Sequence, residues 1–205
     1  MFTPEDSKYI HLIWLGPKPF FDKYLQSVEK YCPTGFKIHI WKDEDLIPLC
    51  QRCNYFRRNY ALKNYAFASD YARFKILYEY GGMYIDTDVE FINPIEDCIS
   101  FKKPFFASET ISNRITSGLI MYCPGAKNEA MKFVVEYYEK SSAQYIRDGE
   151  ILSKSLEPYG YVWEDKYQVL LDGTIIYKGG IFDWNEFSDT SKIDAKAIHH
   201  YTHLY

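Results

Sequence analysis

Asp86 and Asp88 are separated by one residue, and their type and spacing make them candidates for a functional site. In an extended segment, residues two apart point to the same side, so these carboxylates would repel each other without a cation. Mg²⁺ and Mn²⁺ prefer oxygen ligands and leave positions for water and substrate phosphates. The motif therefore predicts metal-bridged binding of a diphosphate, with the metal stabilising negative charge as a bond to phosphate breaks. A solvated strand end without metal is the alternative.

A second pair, Asp70 and Arg73, lies three residues apart in a helical pattern and so shares one helix face. As a surface ion pair it would contribute little to stability. As a binding pair, the carboxylate would accept hydrogen bonds from sugar hydroxyls, and the guanidinium would donate to sugar or phosphate oxygens. The spacing leaves both readings open. Three of the five histidines stand in residues 197–205, where one of them could supply a further metal ligand.

The elements that position these residues follow from periodicity and from glycine and proline. Strand, helix and strand patterns over residues 10–15, 20–31 and 36–41 predict a parallel βαβ unit. A longer helix over residues 64–80 ends at Gly81 and Gly82, and a short strand over residues 83–85 follows. The acidic motif would then lie at the carboxyl end of a strand, where open α/β sheets bind ligands.

The rest of the chain gives fewer signals. Residues 43–63 predict short helices or loop, residues 104–108 and 118–122 predict strands, and residues 126–140 predict an amphipathic helix. Residues 141–180 give weak patterns interrupted by glycines. An α/β fold is expected over the whole length of 205 residues, which suits one domain.

Composition and charge exclude several classes of protein. A net charge of -4 gives no general attraction to nucleic acid, so no nucleic-acid partner is expected. No signal peptide and no transmembrane segment are visible, which predicts a soluble, cytoplasmic protein; a peripheral association with a membrane stays open. Five cysteines agree with a reducing compartment. Cys50 and Cys53 have the spacing of a zinc pair but lack a second pair, so they are expected to be reduced thiols.

One long ordered stretch carries a family resemblance. Residues 68–73 read ASDYAR and residues 76–89 read ILYEYGGMYIDTDV. Together they resemble the DXD-containing glycosyltransferases of family 32, which include yeast-type mannosyltransferases and bacterial capsule transferases. The catalytic domains of the clostridial glucosylating toxins share this motif. Residues 10–16 look like the family's opening strand and residues 197–201 like its closing motif, whereas residues 95–190 match weakly.

The resemblance implies a GT-A-type fold, with a Rossmann-like mixed sheet flanked by helices. It implies a retaining glycosyltransferase (a hexosyltransferase) that uses Mn²⁺ or Mg²⁺, a nucleotide-sugar donor and a saccharide acceptor in surface polysaccharide synthesis, with a UDP-sugar favoured over a GDP-sugar. Residues 1–95 would form the donor and metal core, and residues 96–205 the acceptor region and closing segment.

Site roles follow from the same resemblance by position. Asp86 and Asp88 would bind metal and the ribose-diphosphate, and Asp70 and Arg73 would hold the donor sugar and act in catalysis together with both motif aspartates. Trp14 would lie by the nucleobase, and Tyr84 would contact ribose or phosphate. The terminal metal contact would be His199, with His200 as the fallback.

One departure from the family concerns the C-terminal ending. The family commonly has Ser and Trp where this chain has Leu204 and Tyr205, and leucine can neither ligate metal nor donate to phosphate. His203 or the backbone would have to replace that contact. The ending therefore keeps open a second hypothesis, a nucleotide-sugar-binding protein without catalysis. A third, a phosphatase-like hydrolase with Asp86 as nucleophile, would need a downstream lysine and a further acidic pair such as Glu164 and Asp165.

Overall fold

A parallel βαβ unit opens the fold, as the alternating pattern predicts. The computed structural model describes residues 8–20, 22–96, 100–110 and 114–202. Strand β1 (Tyr9–Ile13) pairs in parallel with β2 (Lys37–Trp41), and helix α1 (Leu25–Lys30) connects them. The helix is shorter than the predicted range of 20–31. Asp22 begins a turn there, closed by a 3.0 Å hydrogen bond from the Leu25 amide to the Asp22 carbonyl.

Three helices follow β2 and lead to the acidic motif. They are α2 (Asp43–Cys50), α3 (Asn54–Ala61) and α4 (Tyr65–Tyr80), which confirm the predicted short helices and the long helix. Helix α4 buries one face, including Phe74 and Leu77, and ends at Gly81 and Gly82, whose φ angles are +69° and +88°. A side chain at Gly82 would also lie 2.7 Å from His11 Nε2. The two glycines are therefore required by both backbone conformation and space.

The sheet is mixed, as predicted. Strand β3 (Gly82–Tyr84) runs parallel to β1 and antiparallel to β7 (Met121–Cys123). The order is β2-β1-β3-β7-β5-β9-β8, with β6 paired to β5. These remaining strands are β5 (Phe105–Glu109), β6 (Arg114–Ile115), β8 (Gln168–Val169) and β9 (Ile175–Tyr177).

A separate two-stranded sheet returns the C-terminal part of the chain to the acidic motif. Strand β4 (Val89–Phe91) begins immediately after Asp88, and β10 (Ala197–His199) pairs antiparallel with it. In the register, His199 lies opposite Val89. This pairing brings the histidines next to the acidic motif although more than a hundred residues separate them in the sequence.

Helices cover the second half of the sheet. Helix α5 (Glu129–Lys140) matches the predicted amphipathic helix, whereas α6 (Asp148–Leu156) and the 3₁₀ turn Glu157–Tyr159 lie in the region with weak patterns. Strand β7 begins three residues later than predicted because residues 117–119 form a turn. Two buried clusters of apolar residues lie on the two faces of the sheet.

Two further expectations concern the cysteine pair and membrane-spanning helices. Cys50 and Cys53 are free and fully buried, and burial raises the pKa of both thiols. Burial thus disfavours the thiolate, which is the form of cysteine that reacts and binds metal. Within the described ranges, no helix has the length and apolar character needed to cross a bilayer.

Candidate active site

An open cavity of about 270 Å³ lies at the carboxyl end of β3. Its walls come from the first half of α4, the turn after β3, the loop before β7, the start of α6 and the segment that follows β10. The residues that line it are Ala66, Ser69, Asp70, Arg73, Asp86, Thr87, Asp88, Thr116, Ser117, Gly118, Asp148, His199 and Tyr201. Asp70, Arg73, Asp86, Asp88 and His199 were singled out from the sequence, and the fold brings all five together here.

The acidic motif occupies a turn rather than an extended segment, which corrects the expected geometry. Thr87 and Asp88 lie in a turn between β3 and β4, and the Val89 amide donates to the Asp86 carbonyl at 3.2 Å. The Asp86 amide donates to the Gly118 carbonyl at 2.8 Å. Both carboxylates still reach one place because the turn folds Asp88 back toward Asp86. A carboxylate oxygen of each and one ring nitrogen of His199 all lie within 4.8 Å of one another.

Asp88 is the more buried of the two motif aspartates and is held by the C-terminal segment. Its Oδ1 lies 3.2 Å from His199 Nε2, and its Oδ2 accepts from the Thr202 amide at 2.8 Å and from the Thr202 hydroxyl at 3.2 Å. Burial by itself raises the pKa of Asp88, but His199 and these hydrogen bonds outweigh it and lower the pKa to about 2. Asp88 is therefore ionised at any physiological pH.

The two neighbouring histidines have different surroundings. Burial lowers the pKa of His199, but its hydrogen bond with Asp88 and the charges of nearby Asp86 and Asp183 raise it overall. Its Nδ1 is buried and accepts or donates no hydrogen bond within the described ranges. The ring of His200 instead stacks on Tyr24 at 4.2 Å, and its Nε2 lies 2.9 Å from Glu90 Oε2. His199 therefore lies in the cavity, and His200 lies outside it.

Arg73 connects the acidic motif to the other carboxylates of the cavity. Its Nη2 lies 2.9 Å from Asp70 Oδ1 and 3.5 Å from Asp86 Oδ1, and its Nη1 lies 3.9 Å from Asp148 Oδ2. Only 7% of the side chain is exposed, so this is no surface ion pair. Burial lowers the pKa of Arg73, but the carboxylates around it raise the pKa well above its ordinary value. The guanidinium is thus a fixed positive charge among anions.

Asp148, Ser117 and Gly118 line the cavity but were not identified from the sequence. Arg73 Nη1 donates to Ser117 Oγ at 2.9 Å, and the same hydroxyl donates to Asp148 Oδ2. Burial, and then the charge of Asp148, raise the pKa of Asp70 despite the neighbouring Arg73. No short motif contains these residues, and only the packing of α6 and the β7 loop against α4 brings them in.

Tyr84 lies behind the cavity rather than in its lining. Its side chain is 1% exposed, its hydroxyl donates to Asp86 Oδ1 at 2.7 Å, and the Arg73 guanidinium lies 5.1 Å from its ring centroid. A direct contact with ribose or phosphate, as predicted, would require Asp86 to move away. The structure instead gives Tyr84 contacts that orient Asp86 and Arg73.

Trp14 lies at the end of β1 and is likewise outside the cavity lining. It is 6% exposed, packs edge-on against Phe20 at 5.6 Å and donates to the Lys18 carbonyl at 2.8 Å. The nearby Gly16 lies close to Tyr65: a Cβ atom at Gly16 would be 2.3 Å from that ring. The end of β1 that carries Trp14 is therefore near the first turn of α4, and the nucleobase contact of Trp14 stays a prediction.

The residues present fit a divalent metal. Two carboxylates and one imidazole supply two oxygen ligands and one nitrogen ligand. Mn²⁺ accepts both kinds of ligand, whereas Mg²⁺ prefers oxygen. The buried Nδ1 of His199 has no hydrogen-bond partner within the described ranges, and an orphaned buried nitrogen of this kind is one that a metal ion would satisfy. His203, which was expected to replace the contact made by the family's usual ending, and Leu204-Tyr205 lie outside the described residues.

Comparisons with known proteins give two kinds of finding. Residues 20–106 match the family model described as "Glycosyltransferase sugar-binding region containing DXD motif". The structure is similar to "PaToxG Glycosyltransferase", with a TM-score of 0.55 and 18% identity over 74% of this chain and 69% of that chain. A second structure, "crystal structure of a glycosyltransferase involved in the glycosylation of the major capsid of PBCV-1", has a TM-score of 0.45 and 16% identity over 94% of both chains. No curated protein matches.

Proposed function

Because the chain carries the sugar-binding region of the DXD glycosyltransferases on a GT-A-type fold, we propose that it is a metal-dependent, retaining glycosyltransferase. It moves a sugar from a nucleotide-sugar donor to a saccharide acceptor. The observation that carries this proposal is the meeting of Asp86, Asp88 and His199 beside the Asp70–Arg73 pair in one cavity. A metal position and a sugar-binding position are thus adjacent, as transfer from a nucleoside diphosphate requires.

The metal end of the cavity fits a diphosphate. Asp86, Asp88 and His199 would hold Mn²⁺ or Mg²⁺, which would supply positive charge to the phosphate oxygens as the sugar–phosphate bond breaks. Without a metal, two ionised carboxylates would repel a diphosphate. The contacts of Asp88 with Thr202 and of Asp86 with Tyr84 fix both ligands in advance of binding.

The other end of the cavity fits a sugar. The guanidinium of Arg73 can donate to ring or hydroxyl oxygens, and the carboxylates of Asp70 and Asp148 can accept from hydroxyls. Because hydroxyl groups both donate and accept, this mixture of charges suits a neutral polyol. A UDP-sugar is the favoured donor, and surface polysaccharide synthesis is the favoured setting; both rest on the family resemblance alone.

The experiment that tests this proposal is a thermal-shift screen of UDP-sugars and GDP-sugars with and without Mn²⁺. We expect a stabilisation of about 5 °C that requires both components, because ligand at 100 times its Kd contributes roughly 2.7 kcal/mol. Asp88→Asn should abolish the shift and the metal-dependent hydrolysis of donor. Asp194→Asn, which removes an exposed carboxylate far along the sequence, is the control and should retain both. Full activity in Asp88→Asn would show that the metal assignment is wrong.

The rival functions give different results in the same assay. A phosphatase-like hydrolase would need a lysine in the cavity, and none stands among the described residues that line it. Asp165 binds the Gly179 amide instead of reaching the cavity. A protein that binds donor without transfer would show the metal-dependent thermal shift but no release of nucleoside diphosphate, with or without added saccharide.

A further inference from the structure

Two aromatic side chains stand close in sequence to residues that line the cavity and have no role in the functions described above. Phe67, which is half-buried, follows the lining residue Ala66, and Tyr145, which is 57% exposed, stands three residues before the lining residue Asp148. Their ring centroids are 5.6 Å apart, in an edge-to-face arrangement. We call Phe67 and Tyr145 the rim pair.

The rim pair is a continuation of the sugar-binding end of the cavity. On α4, Phe67 precedes Asp70 by three residues, so the two side chains are neighbours on the helix with a rise of roughly 4.5 Å between them. On the opposite wall, Tyr145 precedes Asp148 by three residues. Asp70 and Asp148 both contact Arg73, at 2.9 Å and 3.9 Å. Along α4 the order is Phe67, Asp70 and Arg73, and Arg73 is the residue that reaches Asp86, so Phe67 stands beyond Asp70 from the proposed metal ligands.

Tyr145 is held in place by the segment that carries it. The next residue, Ile146, is 4% exposed and packs in the core, and Arg58 donates a hydrogen bond to the Ala143 carbonyl. With Ile146 directed inward, Tyr145 points outward. An exposed ring on an anchored segment loses little conformational freedom on binding, which favours affinity.

We propose that the rim pair is the binding subsite for a pyranose ring of the acceptor saccharide. A pyranose has an apolar face of C–H bonds and a rim of hydroxyls, which matches an aromatic face with a polar tip. Exposed polar groups flank the pair: Arg147 and Arg114 both bind Glu150, at 3.1 Å and 2.9 Å, and can exchange hydrogen bonds with hydroxyls. The proposal rests on the proposed function, because it is that function which requires an acceptor.

A nucleobase is the competing occupant of an aromatic pair, and the order of groups argues against it. In a nucleotide-sugar, the diphosphate separates the base from the sugar. The proposed metal ligands mark the diphosphate, and Asp70, Arg73 and Asp148 mark the sugar. The rim pair lies next to the sugar-binding residues, so a base there would have to pass the donor's own sugar.

The test uses saturation-transfer NMR with maltose, cellobiose, lactose and methyl α-mannoside as probes, in the presence of UDP and the diamagnetic ion Mg²⁺. We expect at least one probe to receive saturation from the native protein and to lose most of that signal in Tyr145→Ala. Tyr145→Trp should restore it. Phe133→Ala, which removes a ring that is 48% exposed on α5, is the matched control and should bind as the native protein does.

Three outcomes would overturn the proposal. These are no saturation of any probe by the native protein, equal signals in the native protein and in Tyr145→Ala, or a weaker affinity of Tyr145→Ala for UDP and Mn²⁺ alone. The last would place the base on the rim pair. Failure of the proposed function is a separate result, because it appears as the absence of a metal-dependent thermal shift with any donor, whatever the probes do.

Discussion

Gly118 is the residue on which the position of Asp86 most directly depends. Its carbonyl accepts from the Asp86 amide at 2.8 Å. A Cβ atom at Gly118 would lie 2.2 Å from Asp86 Oδ2 and 3.2 Å from Arg73 Nη1. The φ angle of Gly118 is not in the left-handed region, so an alanine could adopt the backbone. The methyl group alone would therefore displace the carboxylate.

We predict that Gly118→Ala weakens metal binding while the protein remains folded. Displacing a ligand that nearby groups orient typically reduces metal affinity by about 10-fold to 100-fold. Calorimetric titration with Mn²⁺ in the presence of UDP measures this change in metal affinity. Gly125→Ala is the matched control, since a Cβ there meets no atom within 4 Å. Equal affinities of the two variants would mean that Asp86 is not a metal ligand.

Residue type and spacing, together with the family resemblance, were enough to find the parts of the site that lie in short motifs. Asp86 and Asp88 follow a strand, Asp70 and Arg73 share a helix face, and His199 is the first histidine of the closing motif. Asp148 and Gly118 could not be found in this way, because their chemistry depends on which elements pack across the cavity. Tyr84 was identified as a candidate from the sequence, but its hydrogen bond to Asp86 was not predicted.

At the scale of elements, His11 joins three parts of the sheet. Trp41 Nε1, on β2, donates to His11 Nδ1 at 3.0 Å, so His11 Nε2 carries the proton and donates to the Gly81 carbonyl at 2.9 Å. Burial lowers the pKa of His11 to about 3; the hydrogen bond with Gly81 opposes this shift, and the charge of His39 adds a smaller decrease. The neutral ring thus connects β1, β2 and the end of α4.

The pKa of His11 predicts a loss of stability in mild acid. The folded-state pKa lies below the unfolded value of 6.5, so the unfolded chain takes up the proton more readily. The contribution to stability is complete above about pH 6.5 and falls as the pH decreases toward 3. From pH 7 to pH 5 the expected loss is about 2 kcal/mol.

Urea unfolding at pH 7 and pH 5 measures this loss. His11→Gln keeps a donor and an acceptor but does not titrate, so the part of the pH dependence that comes from His11 should be absent in that variant. We expect the variant to be less stable than the native protein at both pH values. The quantity compared is therefore the change in the free energy of unfolding between pH 7 and pH 5 in each protein. The same decrease in both proteins would show that other groups cause it.

Elements with several turns or a clear alternation could be predicted, and very short ones could not. The βαβ opening, α4 and α5 have patterns long enough for periodicity to decide. Strands β4, β6, β8 and β10 have two or three residues each, too few for an alternation. Helix α6 contains Gly149 in its first turn, a residue that lowers helix propensity. It is required there because a Cβ atom would lie 2.5 Å from the Ile115 carbonyl oxygen.

At the scale of the whole molecule, the site is completed by a segment that lies far along the chain from the acidic motif. The family match ends at residue 106 and confirms the DXD sugar-binding region, whereas His199, Tyr201 and Thr202 come from beyond it. Pairing of β10 with β4 places them, and Tyr201 then donates to Asp183 at 3.0 Å while its ring contacts His199 at 4.0 Å. The proposed metal ligands are therefore coupled to the docking of the C-terminal segment.

This coupling predicts the pattern of hydrogen exchange on ligand binding. The His200 amide donates to the Asp88 carbonyl at 3.1 Å, and the Thr202 amide donates to Asp88 Oδ2 at 2.8 Å. In the proposed site, Mn²⁺ with UDP would bind only when His199 is docked beside Asp88, so ligand binding is expected to make local opening of this segment rarer. We expect exchange of both amides to slow by about tenfold or more when the ligand is at least 10 times its Kd.

Measurement of exchange by mass spectrometry, with peptides that cover residues 86–91 and 197–202, tests this prediction. Helix α5 is the internal control, because none of its residues lines the cavity and its exchange should not change. Thr202→Val removes the hydroxyl contact and keeps the amide, so it should keep part of the protection. Protection of residues 86–91 without protection of residues 197–202 would mean that the metal binds without His199, and that the C-terminal segment has only a structural role.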